Sequence, residues 1–407
     1  MELGNKDRFD ISNLTSRPAI KEIFNALGSS NSSVRFIGGC VRDIIIGKSL
    51  SDIDIATVFT PEQVIERLCS VGIRTIPTGI KFGTVTAVVN SQHYEITTLR
   101  KDIDCDGRHA IIDYTKNWHE DAERRDFTIN AISCSFIGEL FDYFNGLEDL
   151  EHRIVRFIGN PEQRINEDYL RILRFFRFSN YYSKFFDEPA VLAISKHASG
   201  LSKISGERIQ TEMFKMILSD RIAETIKTMS NLNIFPFIGI SKIDCNIVYN
   251  LIEAENILKH SPNLILRLLA IGNNDLDNLI QRWKLPNKIK NELYFFHSKK
   301  FALPPDISIK AAKNILFTLG KEKFLNIITL ELANNLQSQD LYKNLALMAQ
   351  EIDIITFPLQ GNDLISIGIL EGKLVGEMLS KGRTYWEHTD YKATRDEIMT
   401  YIKTLNS

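Results

Sequence analysis

Apolar and polar positions follow two rhythms along this chain. Over the first third, short β-branched or alternating runs at 34–37, 53–57, 84–89 and 94–99 are bounded by turn residues, which predicts strands. Helical spacing fits 41–46 and 61–71, the second with Thr60 as N-cap and Pro61 at its first position. From about Asp168 onward strand signals fade and helical periodicity runs to the end. The pattern predicts an α+β chain: a mixed α/β head with a small β-sheet, then an all-helical remainder. Segment 101–120 (KDIDCDGRHAIIDYTKNWHE) is charged and weakly periodic, and is expected to be a mobile surface loop. No internal repeat or low-complexity segment interrupts the pattern.

Composition changes this picture little. At 407 residues, 44% hydrophobic and 25% charged, the chain reads as ordinary globular protein with room for several domains. Lys plus Arg number 49 against 51 Asp plus Glu, so overall charge gives no support to a nucleic-acid partner, and only local patches can. Five widely spaced cysteines without a C-x-x-C argue against disulfide or zinc frameworks and for a reducing compartment. The polar start MELGNKDRFD lacks the apolar centre of a signal peptide, and no apolar run approaches a membrane span. A soluble, cytoplasmic protein is expected.

Chemistry concentrates in FIGGCVRDIIIGKSLSDIDIAT. An apolar run ends in Gly38-Gly39, a helical segment follows with Arg42 in its first turn, and the chain returns as Asp52-Ile53-Asp54. On a strand, Asp52 and Asp54 would share one face. Two aligned carboxylates repel unless a hard cation lies between them, and oxygen ligation favours Mg²⁺. The glycines permit close backbone approach and the following helix start favours an anion. Together these parts point to a metal-bound triphosphate, against the plainer reading of a tight turn with two solvated acids.

Further along, Glu123-Arg124-Arg125-Asp126 offers paired guanidinium forks suited to phosphate. In EDYLRILRFFRF, Asp168, Arg171, Arg174 and Arg177 recur at three-residue spacing and would lie along one side of a helix. An Asp beside an Arg presents both acceptor and donors, an edge able to read the Watson–Crick face of a base. Between 282 and 323, ten basic residues stand against three acidic ones, interleaved with Trp283, Tyr294, Phe295 and Phe296; this is a candidate phosphate-backbone surface, or equally a solvated helical face. Gly361–Ile365 is either a phosphate-facing helix start or an ordinary cap.

The GGCVRD…DID stretch resembles the nucleotidyltransferase superfamily signature, in the form of the bacterial CCA tRNA nucleotidyltransferase/poly(A) polymerase family, with Cys40 where members usually carry Ala. RRDFTINA, FDYFNGLEDLEHRIVRFIG, EDYLRILRF and SGERIQTEM resemble that family's later motifs, in order, over roughly half the chain. The resemblance implies that Glu95, in HYEITTLR, joins Asp52 and Asp54 as catalytic metal ligands for Mg²⁺. It implies nucleotide contacts from Gly38, Gly39, Arg42, Arg125 and Asn130, with the division between Arg124 and Arg125 open. Asp168 and Arg171 would select C or A without a nucleic-acid template, with Arg174 and Arg177 supporting base and phosphates and Glu167 bracing the arginines. The DYFNG turn and Glu207-Arg208 read as structural.

The organisation implied is a catalytic head at 1–150, a helical neck at 151–220, a body at 221–357 and a tRNA-binding tail at 358–407. The activity implied is transfer of CMP and AMP from CTP and ATP to a tRNA 3′ end. Relatives that make poly(A), or add only CC or only A, share the head motifs; the presence of 101–120 favours full CCA addition. A non-catalytic RNA-binding protein would need a broken acid pair or template, and both are intact. No His is followed by Asp, so an appended phosphohydrolase is not expected.

Overall fold

The computed structural model describes residues 9–28, 32–50, 52–105, 110–273, 275–353, 356–370 and 372–406. Contacts divide the chain into two compact units, Met1–Cys245 with Gly272–Pro286, and Asn246–Ile271 with Asn287–Ser407.

The first unit carries helix α1 (Pro18–Ala26), after a single helical turn at Ser12–Thr15, and is built on a seven-stranded mixed sheet. Its strands are β1 (Val34–Ile37), β2 (Asp54–Thr57), β3 (Arg74–Gly79), β4 (Thr84–Val89), β5 (Gln92–Thr98), β8 (Ser133–Cys134) and β9 (Leu140–Phe141), in the spatial order β3-β4-β5-β2-β1-β8-β9. The β2–β5 pair is parallel and its register sets Asp54 opposite Glu95. Helix α2 (Gly39–Ile45) leaves β1, and α3 (Pro61–Ser70) follows β2 with the expected Thr60 cap, completed by the Gln63 side chain into a capping box. Ile55, Val85 and Ile96 are fully buried, and Phe24 of α1 packs on Phe36 at 4.5 Å between ring centroids.

Segment 101–120 departs from the expected loop. Strands β6 (Arg100–Cys105) and β7 (Ala110–Tyr114) pair antiparallel as a separate hairpin, and helix α4 (Trp118–Glu123) follows. Ile103 stands between Asp102 and Asp104, and Ile111 and Ile112 are adjacent, so neither strand shows the clean alternation of a half-buried strand.

Beyond the sheet the unit is helical, including α5 (Pro161–Glu167), α6 (Leu170–Tyr182) and α7 (Gly206–Ile217). Phe127, Phe157 and Phe175 stack in its core, with Phe157 and Phe175 at 5.8 Å, which locks the RRD segment to α6. The DYFNG turn is structural as expected: the Asp142 carboxylate accepts from the Gly146 and Leu147 amides.

The second unit is wholly helical among the described residues. At its C-terminal end, helices Lys373–His388 and Arg395–Asn406 close around Trp386, Ile398 and Ile402. Gly361–Ile365 opens a helix with a capping box, its Asp363 accepting from the Gln360 amide at 2.6 Å and pairing with Arg395. The basic run at 282–323 divides between the units. Arg282 and Lys284 are used inside the first, on the Ile204 carbonyl and on Glu207, and Trp283 is core there. No helix among the described residues is long and apolar enough to cross a membrane.

Candidate active site

The turn after β1 determines how closely the site can be assembled. Gly38 adopts φ +69°, and a Cβ there would lie 3.0 Å from an Arg125 guanidinium nitrogen and 3.4 Å from the Asn130 carbonyl. Glycine is therefore required both by its backbone and by what packs on it. Beneath it, the buried Cys40 thiol donates to the carbonyls of Ile37 and Asp54, and burial pushes its pKa up to about 11. It is a packing thiol.

Asp54 opens β2 and points its carboxylate into a cleft of about 780 Å³. Burial raises its pKa, the nearby Glu95 and Asp52 add to the rise, and Arg125 and Arg42 oppose it. Asp52 corrects the expectation of two acids on one strand: β2 begins at Asp54, and Asp52 lies exposed just before it. Glu95, also exposed, reaches the same corner through the β2–β5 register. All three are hard oxygen donors, as Mg²⁺ requires. Among the described residues no three acids, histidines or cysteines are already drawn together as a metal cage.

The opposite wall is arginine held by acid. Asp121 carries both guanidinia of the RR pair: one oxygen takes Arg124 at 2.6 Å, the other takes Arg125 at 3.1 Å. Burial works against its ionisation, yet Arg125 and Arg124 hold its pKa below the usual range. The buried Asp126 accepts from Arg174 at 2.7 Å and from the Asn130 amide at 3.0 Å. Burial again opposes, and Arg174 and Asn130 outweigh it, leaving that carboxyl at about 2. Asn130 gives its other end to Arg42, which also reaches Asp43 and, at 2.7 Å, the Tyr182 hydroxyl. Both ends of the Asn130 amide are thus engaged within the protein.

Asp168 is not on a helix, contrary to the expected face. It sits at φ −155° in the break between α5 and α6, where one oxygen caps the Leu170 amide and the other takes Arg208 of α7 at 2.6 Å. The chain turns there because the aspartate supplies the cap α6 needs. Arg171, Arg174 and Arg177 do share a face of α6 and line the cleft with Asp168. Glu167 braces Arg171 and Arg164 at 2.6 and 2.5 Å. The buried Glu212, one turn beyond Arg208 on α7, pairs with Arg177 at 2.7 Å.

In all, seven arginines and Lys215 face three aspartates around this cleft, with Gly38 and Gly39 beside them and Phe178, Tyr181 and Tyr182 as an aromatic wall. Such a cavity suits a strongly anionic ligand carrying a flat ring.

Comparison with known proteins decides the family. Residues 34–156 match the Poly A polymerase head domain, and 186–239 match the probable RNA and SrmB-binding site of polymerase A. The human mitochondrial CCA tRNA nucleotidyltransferase 1 is 36% identical over 94% of this chain and 89% of its own length. The CCA-adding enzyme of Lactobacillus helveticus is 30% identical over 94% and 96%. The chain belongs to the CCA tRNA nucleotidyltransferase family. Its fold is shared with the Bacillus stearothermophilus CCA-adding enzyme solved with CTP (TM-score 0.72, 25% identity, covering 96% of this chain and 98% of that one).

For a CCA tRNA nucleotidyltransferase, the residues that sequence reading missed are mainly partners. Asp121 was within reach, since it precedes Arg124 and Arg125 by three and four residues on a helix. Asp126, Glu212, Arg208 and Tyr182 pair over separations of 35 to 140 residues, for which local spacing carries no signal.

Proposed function

We propose that this chain adds cytidylate and adenylate to the 3′ end of tRNA, transferring CMP and AMP from CTP and ATP with release of pyrophosphate. The observation that carries this reading is the cleft, where an acid corner and an arginine wall face each other across a cavity of about 780 Å³. The names of its relatives support the same activity.

In this reading the triphosphate lies along Arg124 and Arg125 and the base meets Asp168 and Arg171. Arg174 and Arg177 supply further positive charge, and Gly38 and Gly39 leave room for the ligand. Because each arginine already has an acidic or carbonyl partner, its fork is fixed before the ligand arrives, which lowers the ordering cost of binding. Asp52, Asp54 and Glu95 would hold Mg²⁺. When bound, that ion supplies charge neutralisation at the α-phosphate and a lowered pKa for the attacking 3′-hydroxyl. The 3′-oxygen forms its bond to the α-phosphorus as the bond to pyrophosphate breaks.

We assign the head to 1–150, the neck to 151–220, the helical body to 221–357 and tRNA binding to the tail at 358–407. A reducing, cytoplasmic setting suits the free thiols of Cys40, Cys69, Cys134 and Cys245.

The test offers tRNA lacking its last three nucleotides with each nucleoside triphosphate separately and together. CTP alone should add two residues, and CTP with ATP should add three and stop. Long tracts from ATP alone would instead make the chain a poly(A) polymerase, and binding without incorporation would make it an RNA-binding protein.

A further inference from the structure

In the aromatic wall of the cleft, the C-terminal end of α6 presents a ring to which the triphosphate and base contacts proposed above assign no role. Tyr181 lines the cleft and remains 42% exposed. Its neighbour Tyr182 is less exposed, tied through its hydroxyl to Arg42 and Asp43. Tyr181 is anchored differently: its hydroxyl donates to the Lys215 carbonyl at 2.6 Å, and its own carbonyl accepts from Lys48 at 3.2 Å. The ring is thereby fixed while much of it stays open. Two exposed lysines belong to the same region: Lys215, which lines the cleft, and Lys48, with its ammonium 5.7 Å from the Tyr181 ring and 4.3 Å from that of Tyr182.

A held, partly open aromatic ring on a cleft that also carries lysines is the arrangement by which proteins grip single-stranded nucleic acid without reading its sequence. Flexible lysines suit a phosphodiester as point charges, whereas the rigid forks deeper in the cleft suit a triphosphate. We propose that Tyr181 is the stacking platform for the terminal base of the RNA primer, with Lys48 and Lys215 taking the adjoining phosphates. The site lies at the rim because a primer must enter from solvent and present its 3′-oxygen inward. The proposal rests on the nucleotidyl-transfer reading of the cleft.

The experiment uses the full chain and a fluorescent tRNA transcript lacking its last three nucleotides. Transcript affinity is read by anisotropy without CTP, and KM values for transcript and CTP are read during turnover. Tyr181→Ala should weaken transcript affinity and raise its KM by about tenfold, the scale of one lost stack, while the KM for CTP changes less than about twofold. Tyr181→Phe should rescue most of that loss, because the ring is kept. Lys48→Gln and Lys215→Gln should each lower the slope of log affinity against log salt by about one. Unchanged transcript affinity in Tyr181→Ala overturns the proposal, as does a rise in the KM for CTP with transcript affinity intact. Wild-type protein that binds the transcript but incorporates nothing refutes the transfer reading alone, and the anisotropy arm still decides the role of Tyr181.

Discussion

The two walls of the cleft are built on opposite electrostatic plans. At the β2–β5 corner, burial raises the pKa of Asp54, and the charges of Glu95, its partner in the β2–β5 register, and of Asp52 add to the rise. On the α4–α6 wall, guanidinia are matched by protein acids, Asp121 under Arg124 and Arg125, Asp126 under Arg174, Glu212 under Arg177 and Glu167 under Arg171. One wall gathers like charge and is frustrated in the metal-free chain, and the other is matched by the protein's own acids. Like charges gathered around a partly buried carboxylate are costly to keep, so their persistence points to function, whereas matched ion pairs also have a purely structural use. The comparison therefore makes the acid corner the stronger indicator of chemistry.

The sharpest way to break the comparison is to remove the frustrated wall. Asp54→Ala should lower nucleotide incorporation by about a thousandfold or more while far-UV circular dichroism is unchanged, since the side chain serves chemistry and not packing. Asp52→Ala should also abolish incorporation. It is the stricter test, because that residue stands outside the strand and exposed. Retained activity in either variant would remove the acid corner from the mechanism.

The same contrast explains what could be read from the sequence. Gly38-Gly39, Asp54 and the α6 arginines, all on the cleft, were legible from spacing and local motif, whereas Glu95 was named through the family resemblance alone and stands opposite Asp54 in the β2–β5 register. The break at Asp168 was not, because EDYLRILRFF contains no Gly or Pro to mark the end of a helix. The β6–β7 pair reads as a loop because Ile103 is enclosed by Asp102 and Asp104, and the adjacent Ile111 and Ile112 break any alternation. The acids of the arginine wall escaped for a different reason. Asp126 and Arg174 are 48 residues apart, and only the folded core, through Phe127, Phe157 and Phe175, brings them within 2.7 Å.

Breaking the matched wall should show in stability as well as rate. Asp126→Asn keeps the shape but leaves Arg174 without its main counter-charge, an expected loss of about 2 kcal/mol, reduced from the fully buried case because 31% of that side chain stays exposed. The pH dependence follows from the depressed pKa. Asp126 is held at about 2 in the folded chain against an ordinary value of about 4, so its contribution is complete above pH 4 and disappears as pH falls towards 2. Urea unfolding between pH 2 and 5 should show a shallower acid limb in the variant. An identical limb would mean that the Asp126–Arg174 pair stores no stability.

The smallest effect has the opposite sign and separates the walls most directly. The folded-state pKa of Asp54 is raised, chiefly by burial and then by Glu95, so the metal-free chain loses stability as pH rises through that value. Asp54→Asn removes this cost, and without divalent ion its Tm at neutral pH should equal or slightly exceed that of wild type. Adding Mg²⁺ should raise the wild-type Tm, because binding to the folded state stabilises it by mass action, and should move the variant less. A variant less stable than wild type in chelator would show that the Asp54 carboxylate supports the fold, and the two walls would then not differ in kind.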